Sequence, residues 1–217
     1  EDLDAVDDRH EAEPPGPARD GPLGGAEEAR TALADLSAVL RDPAEDRQLR
    51  AAAAILPSDD EVCILTEKGL AAMDEYVGAV RAQIGYEVPL AVDHLGHIAV
   101  EDCIKIARMV EKYNLAWLED PVPWQYTDQY VRLSRSTTTP ICTGEDIYLK
   151  EGFAPLFASR AIAVAHPDVL TAGGILETKK IGDLAQEAGI ALAIHMAESP
   201  VGCLAAAHCA AATESFL

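Results

Sequence analysis

Trp117-Leu118-Glu119-Asp120-Pro121 and, one repeat later, Thr143-Gly144-Glu145-Asp146 decide how this chain folds. In both, a short apolar run stops at an acid. Upstream, Ala91-Val92-Asp93 stops the same way. Asp93, Glu119 and Glu145 follow one another at intervals of 26 residues. That interval is about one strand plus one helix of a parallel α/β fold, so the three acids are expected at the C-terminal ends of successive strands.

The same pattern extends in both directions. Apolar runs at Val62–Leu65, Pro89–Val92, Ala116–Leu118, Pro140–Cys142, Ala161–Ala165 and Ile190–Ile194 alternate with helix-patterned segments. Such alternation predicts βαβ units around a buried parallel sheet. Thr66 is placed to cap a helix running to Gln83. A second helix is expected from Ile98 to Tyr113, ending at Asn114. A third opens at Gly173-Gly174 and ends at Gly189. A doubly wound sheet and an arc of a (β/α)8 barrel both satisfy this pattern.

The residues that end the runs carry the chemistry: Asp93, Glu119, Glu145, Asp168 and His195. Three converging carboxylates repel unless a hard cation neutralises them, and Mg²⁺ suits an all-oxygen donor set. The competing reading is that each acid only caps the helix that follows it.

The words around these residues are specific. Trp117-Leu118-Glu119-Asp120-Pro121 and Gly144-Glu145 are followed by His166-Pro167-Asp168, Ala172-Gly173-Gly174-Ile175 and Ala193-Ile194-His195. Over residues 61–217 this order resembles the enolase superfamily, in its mandelate racemase/muconate lactonizing enzyme branch, and within it the acid-sugar dehydratases. The resemblance implies an incomplete (β/α)8 TIM-type barrel, from strand 2 or 3 to strand 7. It also implies Mg²⁺ ligands at Asp93, Glu119 and Glu145, a catalytic base at His195, and Asp168 as the acid that orients that base. The implied reaction removes the proton α to a carboxylate, with Mg²⁺ stabilising the enediolate. His195 then returns the proton to a departing hydroxyl, which dehydrates a sugar acid, an aldonate or aldarate. His94, His166 and Glu198 are weaker substrate-binding candidates. His94 follows a ligand position directly, His166 precedes Asp168 by two residues, and Glu198 lies three beyond His195.

Two departures from the family pattern matter. Racemases of this branch carry a Lys-x-Lys pair about 29 residues before the first metal Asp. Counting back from Asp93 reaches Ile64, and Lys68 is the only lysine nearby. Racemisation needs proton donors on both faces of the carbanion, so a single His–Asp dyad favours dehydration. A racemase or cycloisomerase with the same metal site stays open as an alternative. No segment of residues 1–60 resembles the family's capping domain, and the sequence stops at Leu217, before an expected eighth strand. A barrel short of strands exposes its edges. An inactive remnant that binds only metal or a partner is therefore the other alternative.

Composition bounds the rest. The 217 residues carry 37 acids and 17 bases, a net charge of −20. Residues 1–60 hold 16 acids, six Arg, no Lys and no aromatic, whereas residues 61–217 hold all eleven aromatics. The first segment reads as a solvated tail, disordered through Gly25 and helical in part beyond it. A charge of −20 opposes nucleic-acid binding, and no apolar run reaches membrane-spanning length. Five cysteines, an odd number without CxxC spacing, suggest reduced thiols in a cytoplasmic protein. The expected partner is a small carboxylate, with homo-oligomers common in the resembled family.

Overall fold

The computed structural model describes residues 65–93, 98–197 and 199–217. The expected tail, and most of the expected strand at Val62–Leu65, lie outside them. The elements alternate. They are α1 (Glu67–Ile84), β1 (Ala91–Val92), α2 (Val100–Val110), β2 (Trp117–Glu119), α3 (Thr127–Ser134) and β3 (Ile141–Thr143). After these come α4 (Leu149–Ser159), β4 (Val164–Ala165), α5 (Ile175–Ala188), β5 (Ala191–Leu192) and α6 (Pro200–Ala211).

The five strands are all parallel and lie side by side in chain order. This order resolves the choice left by the sequence. A doubly wound sheet reverses its strand order at a switch point. Here the order never reverses, and each strand is joined to its parallel neighbour through an intervening helix. The result is an arc of a TIM-type barrel.

Local chemistry sets the element ends. The Thr66 hydroxyl accepts the Gly69 N–H at 3.0 Å and starts α1. A short 3₁₀ turn at Glu111–Tyr113 follows α2, and Asn114 then stops it in the left-handed conformation (φ 49°). Gly174 opens α5 and Gly189 closes it at φ 71°. The Ser199 hydroxyl caps α6, and Pro200 occupies its first position, where no amide partner is needed.

Helices and sheet share one core. Ile106 and Val110 of α2, Leu118 of β2, Leu133 of α3, Phe153 and Leu156 of α4, Ile181 of α5 and Leu192 of β5 are fully buried in it. Buried Arg81 ties the entrance to β1 to that of β2. Its guanidinium donates to the carbonyls of Gly85, Val88, Tyr113 and Asn114. The C-terminal residues start a further parallel pairing. Leu192 N donates to Ser215 O and Leu217 N to Leu192 O, with Phe216 bridged to Leu192. Ser215–Leu217 thus lie along β5 through one isolated bridge. Among the described residues, no helix is long and apolar enough to cross a membrane.

Candidate active site

All five run-ending residues gather at the C-terminal rim of the sheet. Their order along the strands is less regular than their spacing implies. Val92 pairs with Leu118, so Asp93 continues in register with Glu119. Glu119, however, pairs with Cys142, and Glu145 lies three residues beyond that partner. Gly144 makes up the difference. Its φ of +154° turns the chain back, and a Cβ there would lie 2.7 Å from the backbone of His166.

Glu119 is the buried centre of the site. Trp117, two residues earlier on the same face of β2, donates its Nε1–H to Glu119 Oε2 at 2.6 Å. The other oxygen, Oε1, lies 3.3 Å from His166 Nε2. Burial pushes the Glu119 pKa up. The charges of Asp93 and Glu145 push it further, while the Trp117 bond and His195 oppose them. The carboxylates of Glu119, Asp120 and Glu145 each present an oxygen within 4.8 Å of the other two. Asp93, expected as the third ligand, is not one of these three, although its charge raises the Glu119 pKa and opposes the lowering of that of His166.

Asp168 and His195 meet across β4 and β5. Their backbones form a parallel bridge, and His195 N donates to Pro167 O at 3.0 Å. That pairing sets the side chains together: His195 Nδ1 lies 2.7 Å from Asp168 Oδ2. Asp168 is 1% exposed, and its Oδ1 accepts the Leu170 N–H at 2.6 Å. The dyad is therefore held from behind. The other ring nitrogen, His195 Nε2, faces the acids at 2.9 Å from Glu145 Oε2.

His166 directly follows β4. Its Nδ1 lies 3.2 Å from Ala193 O, and its ring packs edge-on to that of His195 with centroids 5.5 Å apart. Burial and the nearby His195 lower its pKa, opposed by the Ala193 bond and the acids Glu145 and Asp93. Although it lies two residues before Asp168, its ring reaches into the same cluster. His94, His97 and Glu198 lie outside the described residues.

Two members of the cluster were not singled out by the sequence. Asp120 adopts φ 41°, and its carboxylate accepts the Thr143 hydroxyl, which turns it toward β3. Trp117 was read only as part of the Trp117–Pro121 motif, yet its N–H holds Glu119. An acid beside a strand end and a Trp two residues before it were the available signals.

The family model for the enolase C-terminal domain matches residues 63–217. D-xylonate dehydratase of Haloferax volcanii is 38% identical over 143 residues, covering 66% of this chain and 35% of that enzyme. D-galactonate dehydratase of Ralstonia nicotianae is 30% identical over 132 residues, covering 61% and 35%. Among solved structures, a mandelate racemase/muconate lactonizing enzyme-like protein from Rubrobacter xylanophilus superimposes with a TM-score of 0.69 at 41% identity. That match covers 70% of this chain and 39% of the other. The 3,6-anhydro-D-galactonate cycloisomerase of Zobellia galactanivorans matches with a TM-score of 0.65 at 32% identity, covering 78% and 49%. The chain thus spans about a third of the curated relatives it matches. Those relatives are sugar-acid dehydratases, and the solved neighbours include members of the mandelate racemase/muconate lactonizing enzyme branch. With strand order, rim carboxylates and the His–Asp pair in place, this chain belongs to the enolase C-terminal domain-like family of the enolase superfamily.

Proposed function

We propose that this site removes the proton α to the carboxylate of a sugar acid, an aldonate or aldarate, and dehydrates it. The observation that carries this reading is the His195–Asp168 pair, at 2.7 Å, with the second ring nitrogen turned into a cluster of carboxylates.

The donor set fits Mg²⁺. Glu119 and Glu145 offer converging oxygens, Asp93 adds a third charge, and burial, followed by the charges of Asp93 and Glu145, raises the Glu119 pKa. Asp93, Glu119 and Glu145 would hold the ion, with Asp120 alongside. When bound, Mg²⁺ supplies positive charge for the substrate carboxylate as the α carbon loses its proton.

The side chains do the rest. Asp168 fixes the His195 hydrogen on Nδ1, which leaves Nε2 as the base. With Nδ1 kept on Asp168, Nε2 is the ring nitrogen that faces the acids and the substrate they would hold. Having taken the proton, His195 gives it to the departing β-hydroxyl on the same face, so one water leaves and an enol remains, which ketonises to the 2-keto-3-deoxy acid by losing its O2 proton to solvent and taking one at C3 from solvent. Asp168 stabilises the imidazolium in between. Trp117 and His166 hold the two oxygens of Glu119 in place. His166 also faces this cluster and is a candidate to read substrate hydroxyls, as His94 and Glu198 are by their positions in the sequence.

The test is incubation of the full chain with Mg²⁺ and a panel of aldonic and aldaric acids, scored for 2-keto-3-deoxy products. The expected result is dehydration that stops on chelation and in His195→Asn. α-Deuteration in D₂O without dehydration would instead indicate a racemase or cycloisomerase. Absence of both, in folded protein, would leave the metal-binding remnant.

A further inference from the structure

We propose that Thr171 is a positioning residue for the reaction. Its hydroxyl fixes the loop that carries Glu145 against the turn that carries Asp168, and so sets the distance between Glu145 and His195. The inference rests on the reading of His195 as the base and Glu145 as an ion ligand.

The two segments follow neighbouring strands. The turn from Asp168 to Gly174 comes after β4 and is built on Asp168 itself. The Asp168 carbonyl accepts the Ala172 N–H at 2.8 Å, and its Oδ1 accepts the Leu170 N–H at 2.6 Å. Asp168 Oδ2 lies 2.7 Å from His195 Nδ1. Turn and base therefore share one anchor. The loop from Gly144 to Leu149 comes after β3. There Gly144 O accepts the Ile147 N–H at 3.0 Å, which closes a bend with Glu145 inside it.

Thr171 joins the two. Its hydroxyl donates to Glu145 O at 3.0 Å. Four residues beyond Glu145, the Leu149 N–H donates to Ala172 O at 3.1 Å. Leu149 holds φ 58°, a conformation that a leucine keeps only where its surroundings enforce it. Its side chain packs on Gly173, where an added Cβ would lie 3.1 Å from Leu149 Cδ2. The Leu149 N–H link is backbone to backbone. The Thr171 link is made by a side chain, and it holds the ligand residue directly.

The contacts form a closed circuit. Glu145 Oε2 lies 2.9 Å from His195 Nε2. His195 is held by Asp168, the turn leads from Asp168 to Thr171, and Thr171 returns to the Glu145 backbone. Carboxylate and carbonyl of Glu145 are thus both referred to Asp168. Proton abstraction needs the base and the ion-held carboxylate at a fixed spacing, and a displacement of about 1 Å costs roughly 10²-fold. Thr171 acts on that spacing through Glu145.

The test compares, in the full chain, Thr171→Val, which keeps the shape without the hydroxyl, with Thr171→Ser, which keeps the hydroxyl. In metal-free protein, a nuclear Overhauser contact between the His195 ring and the Glu145 Hγ protons is expected in the parent and in Thr171→Ser, and weakened in Thr171→Val. Amide exchange at Ile147 and Leu149 should quicken in Thr171→Val, with that at Ile106 and Leu118 unchanged. With Mg²⁺ and the sugar-acid panel, kcat of Thr171→Val should fall at least about tenfold while KM barely moves, and Thr171→Ser should stay near the parent. A parental Overhauser contact or parental kcat in Thr171→Val, an equal loss in Thr171→Ser, or faster exchange throughout the core overturns the proposal. So does absence of the His195–Glu145 contact from the parent, whether or not the variants fold. The two readings fail separately. Turnover lost in His195→Asn but kept in Thr171→Val defeats this inference alone. Contacts that respond to Thr171→Val as expected, in a parent without turnover, defeat the proposed reaction alone.

Discussion

Replacing Asp168 by Asn changes one atom, and the structure determines what that atom does. Asp168 is buried, with Oδ1 on the Leu170 N–H at 2.6 Å and Oδ2 on His195 Nδ1 at 2.7 Å. The Leu170 N–H can only donate, so an Asn must keep its carbonyl oxygen there. Its NH₂ then faces His195, and that ring nitrogen has to become an acceptor. The hydrogen moves to Nε2, the atom that the proposed reaction needs bare. Wrong-tautomer variants of this kind lower kcat by about 10⁴ in the Ser-His-Asp template, or roughly 5.5 kcal/mol at about 1.36 kcal/mol per tenfold. The proposed metal ligands are untouched, so Mg²⁺ affinity should barely change. The direct assay is the His195 tautomer in long-range ¹H–¹⁵N spectra at about pH 8, where an ordinary imidazole is neutral. Hydrogen on Nδ1 in the parent and on Nε2 in Asp168→Asn is the expected result. Hydrogen on Nδ1 in both would refute the reasoning.

Further outcomes follow from other contacts. Gly144→Ala places a side chain at φ +154° and 2.7 Å from the His166 backbone, and should cost about 1–3 kcal/mol, read as a lower urea midpoint. Tyr130→Phe removes the buried hydroxyl that donates to Val122 O at 2.6 Å; leaving that carbonyl unpaired should cost about 1–3 kcal/mol in the same assay. The Lys105 ammonium, followed by the Leu65 N–H, holds the Asp102 carboxyl below its ordinary range, against the opposing effect of burial. Its contribution is therefore complete above the ordinary Asp range and lost as pH falls through the lowered value. Asp102→Asn should flatten the acid limb of the stability–pH curve. Burial pushes the Cys103 thiol up to about 12, so in the native chain exposed Cys203 should react with a thiol reagent while Cys103 stays protected.

Much of the fold was written in local signals. The apolar runs at Pro89–Val92 and Ala116–Leu118 contain or overlap β1 and β2, and Thr66, Asn114 and Gly189 stand at helix ends as their side chains predict. Strand order was not legible, because periodicity does not distinguish a switch point from a continuing arc. Nor was register. Equal 26-residue intervals suggested equivalent positions for Asp93, Glu119 and Glu145, yet Glu145 reaches the cluster only through the turn at Gly144. His166 was legible only as a weak substrate-binding candidate, and its contacts were not, for a related reason. Alternation along a strand assigns faces, but the strand ends at Ala165, and the ring's direction is set by Ala193 O on a neighbouring segment.

The central claim is that His195 takes the proton α to a bound carboxylate. It is tested most directly by exchange of that proton for deuterium in D₂O, with Mg²⁺ and the sugar acids of the panel, in the parent chain and in His195→Asn. Exchange or dehydration is expected in the parent and neither in the variant, with Mg²⁺ still bound by both. Equal exchange in the two proteins would contradict it.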